Sequence, residues 1–191
     1  MAVQDLIAAG PLLDCCNALQ ARLKAFFPPA QFTHQVVPAK LTPTVWASLT
    51  RVTPMIGLGW GGVRPKRDNA HIFAGDALWT VFLVTKNSNS PVARLLGDAM
   101  GAGQLGVAQI AAVALQGFMI AGIGTATVTD VGNVSAENLA EENTAITAIN
   151  VEVPLSLSIA GDGDLTEFLR MHVQWQFPDA EGPADMIEVR D

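Results

Sequence analysis

The stretch DALWTVFLVT (residues 76–85) is the strongest strand signal in the chain, because it is rich in β-branched and aromatic residues. A second strand is predicted at residues 53–60, and the turn-rich segment GGVRPKRDNAHIFAG (residues 61–75) separates the two. Strands this close in sequence usually pair with each other. We therefore predict a β-hairpin with a long loop at residues 61–75.

Another long strand is predicted from about residue 147 to residue 159. Asn150, Glu152 and Ser156 alternate there with an apolar set, which predicts one buried face and one solvated face. Pro154 would place this strand at or near a sheet edge. The apolar set consists of Val151, Val153, Leu155, Leu157 and Ile159.

Shorter strands are predicted at residues 32–37 and 125–131, and a final one at residues 169–177, which also alternates. The last stretch, PDAEGPADMIEVRD, is acidic and contains Pro and Gly, so we expect it to be extended or to become ordered on a neighbour. No internal repeat is visible. The sequence therefore predicts one domain over residues 1–160, followed by an additional strand and an acidic C-terminal extension over residues 161–191.

Helices are predicted at residues 12–27, where helical spacing ends at Pro28-Pro29, and at residues 44–49, after Thr42-Pro43. A longer helix is predicted to open at Ser90-Pro91, with glycines at 101, 103 and 106 kinking or splitting it. At 100° per residue, one stripe of this helix is mildly polar and the opposite stripe is apolar. The polar stripe is Asp98, Leu105, Gln109 and Gln116, and the apolar one is Leu96, Met100, Val107, Ala111, Ala114 and Phe118.

The composition is more apolar than a lone monomer of 191 residues needs: half of the residues are hydrophobic, 15% are charged and the mean hydropathy is +0.32. A membrane span within the uncharged residues 99–129 is disfavoured by its Ala and Gly content, its three glutamines and the lack of flanking Lys or Arg. Association with other protein subunits is therefore predicted. A net charge of −7 argues against a broad nucleic-acid-binding surface.

No local motif indicates catalysis, a cofactor or a metal site. The glycines at 57, 59, 61 and 62 do not follow the G-x-G-x-x-G spacing and fit a bulged strand with close backbone approach. The carboxylates of Asp162, Asp164 and Glu167 lack calcium-loop spacing, which favours a hairpin turn. His34, His71 and His172 have no ligand-like neighbours, and the adjacent Cys15 and Cys16 lack C-x-x-C spacing, so buried or surface positions are predicted for them.

Two charged clusters are candidate interface residues. The basic cluster, in the 61–75 loop, has two interpretations: a solvated loop tip, or a contact with an acidic surface of a neighbouring subunit. The acidic cluster lies in a predicted turn before the 147–159 strand. The candidates are Arg64, Lys66 and Arg67, with Glu137, Glu141 and Glu142.

The order of these elements resembles a known protein family. DALWTVFLVT is followed by SPVARLLGDAMGAGQLGVAQIAAVALQGF and then by TATVTDVGNVSAENLAEENTAITAINVEVPLSL. Over residues 5–157 this succession resembles the tail-terminator proteins of Mu-like and lambda-like bacteriophages. The resemblance is one of element pattern and carries no signature motif. The 61–75 loop and everything beyond Ile159 depart from it.

The resemblance implies an α+β fold with helices packed on one face of a mainly antiparallel sheet, and assembly into a hexameric ring. Such a ring caps the head-proximal end of the tail tube, stops its polymerisation and presents a surface to the head-tail connector. It implies a non-enzymatic virion protein, assembled in the bacterial host cytoplasm, with double-stranded DNA passing through the lumen without specific binding. The alternatives are a head-tail stopper or tail-completion protein and, in a different class, a small-ligand-binding protein.

Overall fold

The computed structural model describes residues 10–38, 42, 47, 51–66, 73–99, 101–134 and 143–157, all within one compact unit, Met1–Ser158. Its helices are α1 (Pro11–Phe26), α2 (Pro91–Leu96) and α3 (Gln104–Leu115). Its strands are β1 (Thr33–Pro38), β2 (Met55–Pro65), β3 (Phe73–Lys86), β4 (Gly97–Asp98), β5 (Gly101–Ala102), β6 (Met119–Ile120), β7 (Gly124–Thr125), β8 (Thr127–Asn133) and β9 (Thr144–Leu157).

Several predictions fall on the remaining residues. The 44–49 helix lies almost entirely outside the described residues. The 169–177 strand, the acidic turn and the C-terminal extension lie wholly outside them. The domain boundary at residue 160 stays a prediction.

Five strands form one sheet in the order β1-β2-β3-β9-β8. The β2–β3, β3–β9 and β9–β8 pairs are antiparallel, and the β1–β2 pair is parallel. The described residues therefore form an α+β fold with a mainly antiparallel sheet, as the sequence predicted at this coarse level.

The β2–β3 hairpin is confirmed, but the predicted loop of residues 61–75 is wrong. β2 continues to Pro65, which pairs with Gly75, so both strands extend into the predicted loop. The β2–β3 ladder continues through the glycine-rich run because a β-bulge between Trp60 and Gly62 leaves one residue of β2 unpaired. At the bulge Gly62 has a φ of +116°, which glycine adopts without strain. Gly75 has no room for a side chain, since a Cβ there would lie 2.5 Å from the Arg64 carbonyl oxygen.

The long strand predicted from residue 147 begins earlier, at Thr144, and all of β9 pairs with β3. β9 is not itself an edge strand, since it lies between β3 and the edge strand β8, so the prediction of a position at or near a sheet edge holds only in the sense of near. Pro154 is accommodated because pairing with β8 ends at Glu152, so the ladder on that side stops before the proline.

Helices α1 and α3 cover one face of the sheet. Cys15, Leu19 and Leu23 of α1 and Val107 and Ala111 of α3 are buried in one cluster with alternate residues of the strands. These strand residues are Ile56, Leu58, Ala77, Trp79, Val81, Leu83, Ile149, Val151, Val153 and Leu155. A second, smaller cluster buries Val37, Met55, Phe82, Val84 and Ile146, which alternate with the first set along their strands.

The predicted long helix is split. As predicted, Ser90 caps α2: its side chain accepts a hydrogen bond from the Ala93 amide. However, α2 ends at Leu96, and a short hairpin with two residues in each strand, β4–β5, separates it from α3. Gly97 has a φ of +86°, and a Cβ on Gly103 would lie 2.2 Å from the Leu96 carbonyl carbon, so the chain turns back on itself through two glycines.

The two-stripe prediction therefore holds for α3 alone. Val107, Ala111 and Ala114 are buried, while Leu105 and Gln109 are exposed. For Leu96 it is wrong, because the break in the helix turns this side chain out, leaving 66% of it exposed. Of the described helices, none combines the length and the apolar character needed to cross a membrane.

Gln104, the first residue of α3, anchors this helix to the sheet. Its side-chain amide nitrogen donates to the Leu83 carbonyl oxygen at 3.1 Å and to the Thr147 hydroxyl at 2.6 Å. Its amide oxygen accepts a hydrogen bond from the Thr85 hydroxyl. All four residues are buried, so these bonds form away from water and fix where α3 begins over β3 and β9.

We predict that Gln104→Met, which keeps the side-chain length and removes the amide, lowers the free energy of unfolding by about 2 kcal/mol or more, since two hydroxyls and a carbonyl lose a buried partner. Urea denaturation measures this. The control is Gln109→Met, at an exposed position of the same helix. Equal stability of the two variants would contradict an anchoring role for Gln104.

Cys15 lies in the centre of the helix-side core with no exposed surface. Burial raises the pKa of its thiol from 9.0 to about 12. The folded chain therefore holds this proton over a range in which the unfolded chain releases it. Its contribution to stability is complete below about pH 9 and is lost as the pH rises from about 9 towards 12.

We predict that the free energy of unfolding of the wild type falls between pH 9 and 12, with up to about 1.4 kcal/mol per pH unit attributable to this one proton. Cys15→Ala removes that part of the slope, and Cys16→Ala retains it. Denaturation at a series of pH values compares the three proteins, and identical slopes would refute the assignment.

Candidate assembly interface

The outer surface of α2 and α3 is unusually apolar. On α3, Leu105, Gln109 and Val113 follow one another at four-residue spacing on the side opposite the core, and Val113 leaves 69% of its surface in water. We call the exposed apolar residues of these two helices the outer helical surface. It consists of Val92, Leu95 and Leu96 of α2 and Leu105, Ile110 and Val113 of α3.

This surface is nearly free of charge. α3 and the residues that follow it carry no charged side chain up to residue 129, and Arg94 is the one charged residue of α2. The side chain of Arg94 is itself half-buried, and its Nε is shielded from water. A neighbouring subunit could cover the α3 part of this surface without removing a charged side chain from water.

Contacts with α1 hold the outer helical surface in place. Arg22 of α1 donates from Nε to the Ala114 carbonyl oxygen at 2.9 Å, and its guanidinium lies over the rings of Phe26 and Phe118, at 4.6 and 5.0 Å from their centres. With Gln104 fixing the first residue of α3, both ends of the helix are tied to the rest of the fold. The surface is therefore presented in one orientation before any partner binds.

The basic cluster predicted from the sequence is only partly a loop feature. Arg64 lies in β2 and forms an ion pair with Glu152 of β9 at 2.9 Å. Lys66 follows β2 directly and pairs with Asp76 of β3 at 3.1 Å. Arg67 lies outside the described residues, as do Glu137, Glu141 and Glu142.

These ion pairs belong to a polar area on the sheet face opposite α1 and α3. There the Thr80 hydroxyl donates to Asn150 Oδ1 at 2.9 Å, beside the Arg64–Glu152 pair, around an open depression of about 360 Å³. The polar groups at the depression bond to one another, which is the arrangement expected of a solvated sheet face. Within the described residues, no group of three or more His, Cys, Asp or Glu side chains is placed to hold a metal ion.

Acidic and basic residues are distributed unevenly along the chain. The described residues include seven basic side chains, at 22, 24, 51, 64, 66, 86 and 94, and five acidic ones, at 14, 76, 98, 130 and 152. The net charge of −7 thus comes from the rest of the chain, mainly residues 135–142 and 159–191. The described fold itself is close to neutral.

The other residues singled out from the sequence have structural roles where they are described. The glycine run of β2 forms the predicted bulged strand, and Gly57 packs so closely that a Cβ there would lie 3.2 Å from the Val37 side chain. His34 bonds through its ring Nε2 to the Phe27 carbonyl oxygen at 2.7 Å. His71, His172, Asp162, Asp164 and Glu167 lie outside the described residues.

Comparison with known proteins identifies no relative: no protein-family description matches the chain, and no curated protein matches it significantly.

The outer helical surface was missed as a site in the sequence because the helical periodicity placed Leu96 on the apolar stripe, which was expected to be buried. A signal was present, since Leu105 fell on the mildly polar stripe and residues 99–129 carry no charge. The anchoring role of Gln104 had no sequence signal, because its partners lie on β3 and β9, far away in the chain.

We predict that Val113→Gln changes the free energy of unfolding by less than about 0.5 kcal/mol in dilute solution, since 69% of the side chain is exposed and neither buried cluster of the described residues includes it. Val107→Gln, on the opposite side of the same helix, should cost about 2–4 kcal/mol because it buries an amide in the main cluster. Urea denaturation compares them. A loss at Val113 as large as that at Val107 would show that the outer surface belongs to the subunit's own core.

Proposed function

We propose that this chain is a non-enzymatic structural subunit of a tailed bacteriophage that closes into a hexameric ring at the head-proximal end of the tail tube. There the ring stops polymerisation of the tube and offers a joining surface to the head-tail connector. Assembly takes place in the bacterial host cytoplasm, and double-stranded DNA passes through the lumen without specific recognition.

The observation that carries the proposal is the outer helical surface. At about 25 cal/mol per Å² of apolar area, covering six exposed aliphatic side chains would stabilise an association, and the largest apolar patch on a protein surface is often functional. Copies of one chain commonly bury such a surface by assembling with cyclic symmetry. The resemblance of residues 5–157 to tail terminators then supplies the biological setting, and the α+β sheet fold is compatible with it.

The charge distribution bears on how DNA would pass through the lumen of the proposed ring. An acidic lumen would keep passing DNA from adhering to it. Because the described fold is close to neutral, this repulsion would have to come from the acidic residues of 135–142 and 159–191. A ring whose lumen is lined by basic residues would count against free DNA passage.

A head-tail stopper or a tail-completion protein remains the alternative within the same class. Both also assemble at the neck, so the outer helical surface would serve either. Activity on the tail tube separates them, because a terminator binds the end of the tube and stops its growth.

We predict that the purified chain has a mass in solution close to six times its chain mass of 20.1 kDa, and forms rings visible by negative-stain electron microscopy. Val113→Lys should reduce the mass to that of one subunit, since a charge cannot be buried in an apolar contact without a partner. Asn17→Lys, at an exposed position of α1, is the matched control and should assemble as the wild type does. Light scattering at increasing concentration measures all three.

A second experiment adds the wild-type protein to tail tube protein that is polymerising into tubes. A terminator caps the tubes and shortens them, whereas a stopper or completion protein leaves tube growth unchanged. A wild-type chain that stays a single subunit at high concentration and binds neither tubes nor connector would overturn the proposal.

A further inference from the structure

A second bare apolar area lies on the helix-covered face of the sheet, at its β1 edge. Val36 of β1 is opposite Leu58 of β2, and Trp60 of β2 is opposite Trp79 of β3. Because directly paired residues point to the same face, and Leu58 and Trp79 belong to the helix-side core, Val36 and Trp60 also point to the helix side. Yet 63% of Val36 and 51% of Trp60 are exposed.

Among the described helices, neither α1 nor α3 covers this edge of the sheet. α3 packs over β3, β8 and β9, at the other side of the sheet. At the start of β1, His34 donates a hydrogen bond to the Phe27 carbonyl oxygen, just beyond the end of α1. We call Val36, Pro38 and Trp60, all exposed, the edge strip.

The edge strip and the outer helical surface complement each other in structure and charge. A sheet face ordinarily buries its apolar side chains against a helix, and the edge strip lacks one. The outer face of α3 is an apolar helix face that lacks a sheet. Neither the edge strip nor α3 contains a charged residue, so their contact would desolvate no ion.

We infer that the edge strip of one copy of this chain packs against the outer helical surface of the next copy, with Trp60 as the central aromatic anchor. The occupant of each surface is thus a second copy, and its α3 extends the helical layer across β1 and β2. The inference rests on the proposed self-association and names the two surfaces that meet in it.

The two surfaces occupy different parts of the helix side of the subunit: the edge strip lies at the β1 edge of the sheet, whereas α3 packs over β3, β8 and β9. A contact between unlike surfaces is heterologous, so each copy uses both surfaces and the series closes into a ring when the rotation allows it. A helix-to-helix contact between identical surfaces would instead produce a two-fold dimer and leave Trp60 in water.

The area is adequate for such a contact. Complete burial of an aliphatic side chain is worth about 1.5–3 kcal/mol, which at about 25 cal/mol per Å² corresponds to roughly 60–120 Å² each. About half or more of each of the six residues of the outer helical surface is exposed, so together they offer roughly 300 Å² of apolar area. With the polar residues around them, this is a reasonable centre for an interface of about 800 Å² per partner.

The experiment mixes two variants, each damaged in one half of the contact. Trp60→Lys should be a single subunit because its edge strip is blocked, and Val113→Lys should be one because its helix face is blocked. Mixed, they retain one intact pairing, the edge strip of Val113→Lys with the helix face of Trp60→Lys. The mixture should therefore give a one-to-one complex of twice the 20.1 kDa chain mass, unable to grow further.

Light scattering measures the mass in solution of each variant alone and of the mixture. Val36→Lys and Leu105→Lys replace either variant that fails to fold, as judged by its circular dichroism and unfolding transition. Gln35→Lys, at an exposed position of β1 that is next to Val36 but points to the other face of the sheet, is the control and should form the wild-type assembly. Each outcome decides the inference.

A Trp60→Lys and Val113→Lys mixture that forms the one-to-one complex supports the inference. If Trp60→Lys and Val36→Lys still form the wild-type assembly, the edge strip is not the partner surface and the inference fails, while the proposed ring function stands. If the two variants are single subunits and their mixture stays at the mass of one chain, the heterologous pairing is refuted. A single-subunit wild type overturns both proposals together.

Discussion

The antiparallel ladder between β3 and β9 is the constraint on which the rest of the structure depends. It pairs Phe73 with Leu157 at one end and Lys86 with Thr144 at the other, with 14 residues in each strand. Both strands alternate between two buried clusters over part of their length, so a shift of one residue would exchange the contents of the two faces. β2 and β8 attach to this pair on either side, and α1 and α3 settle on the face that carries Trp79, Val81 and Val151.

The position of α3 couples this ladder to the surface proposed for assembly. Gln104 bonds to residues of both central strands, and Arg22 holds the end of the helix from α1. One side of α3 then completes the subunit's own core, and the other side is left as an apolar, uncharged face. A rigid helix that is already positioned loses little conformational entropy on association, which suits an interface repeated identically around a ring.

The charged residues contribute less to this picture than the sequence suggested. Arg64 and Lys66 pair with Glu152 and Asp76 on the solvated face of the sheet, where exposed ion pairs contribute little to stability. Their pairing within the subunit lowers the net charge that they can present to a neighbour. The apolar edge strip and outer helical surface therefore carry more of the binding energy in the proposed contact, and the charges would serve mainly to choose partner and orientation.

The sequence by itself determined the two long strands and α1, because local alternation and helical spacing follow the side chains that a buried face requires. It also determined the bulged glycine strand and the Ser90 cap. The α+β class was expected only from the resemblance of the element order. Only the tertiary structure decided that β2 and β3 extend beyond the predicted hairpin ends, that β9 is an interior strand despite Pro154, and that the long helix breaks at Gly97. Each of these depends on pairing or close approach between distant residues, which local patterns do not encode. For the same reason, the sequence could not locate the candidate interface. It indicated an excess of apolar residues, but packing decided which of them the subunit buries and which stay exposed at the edge strip and on α2 and α3.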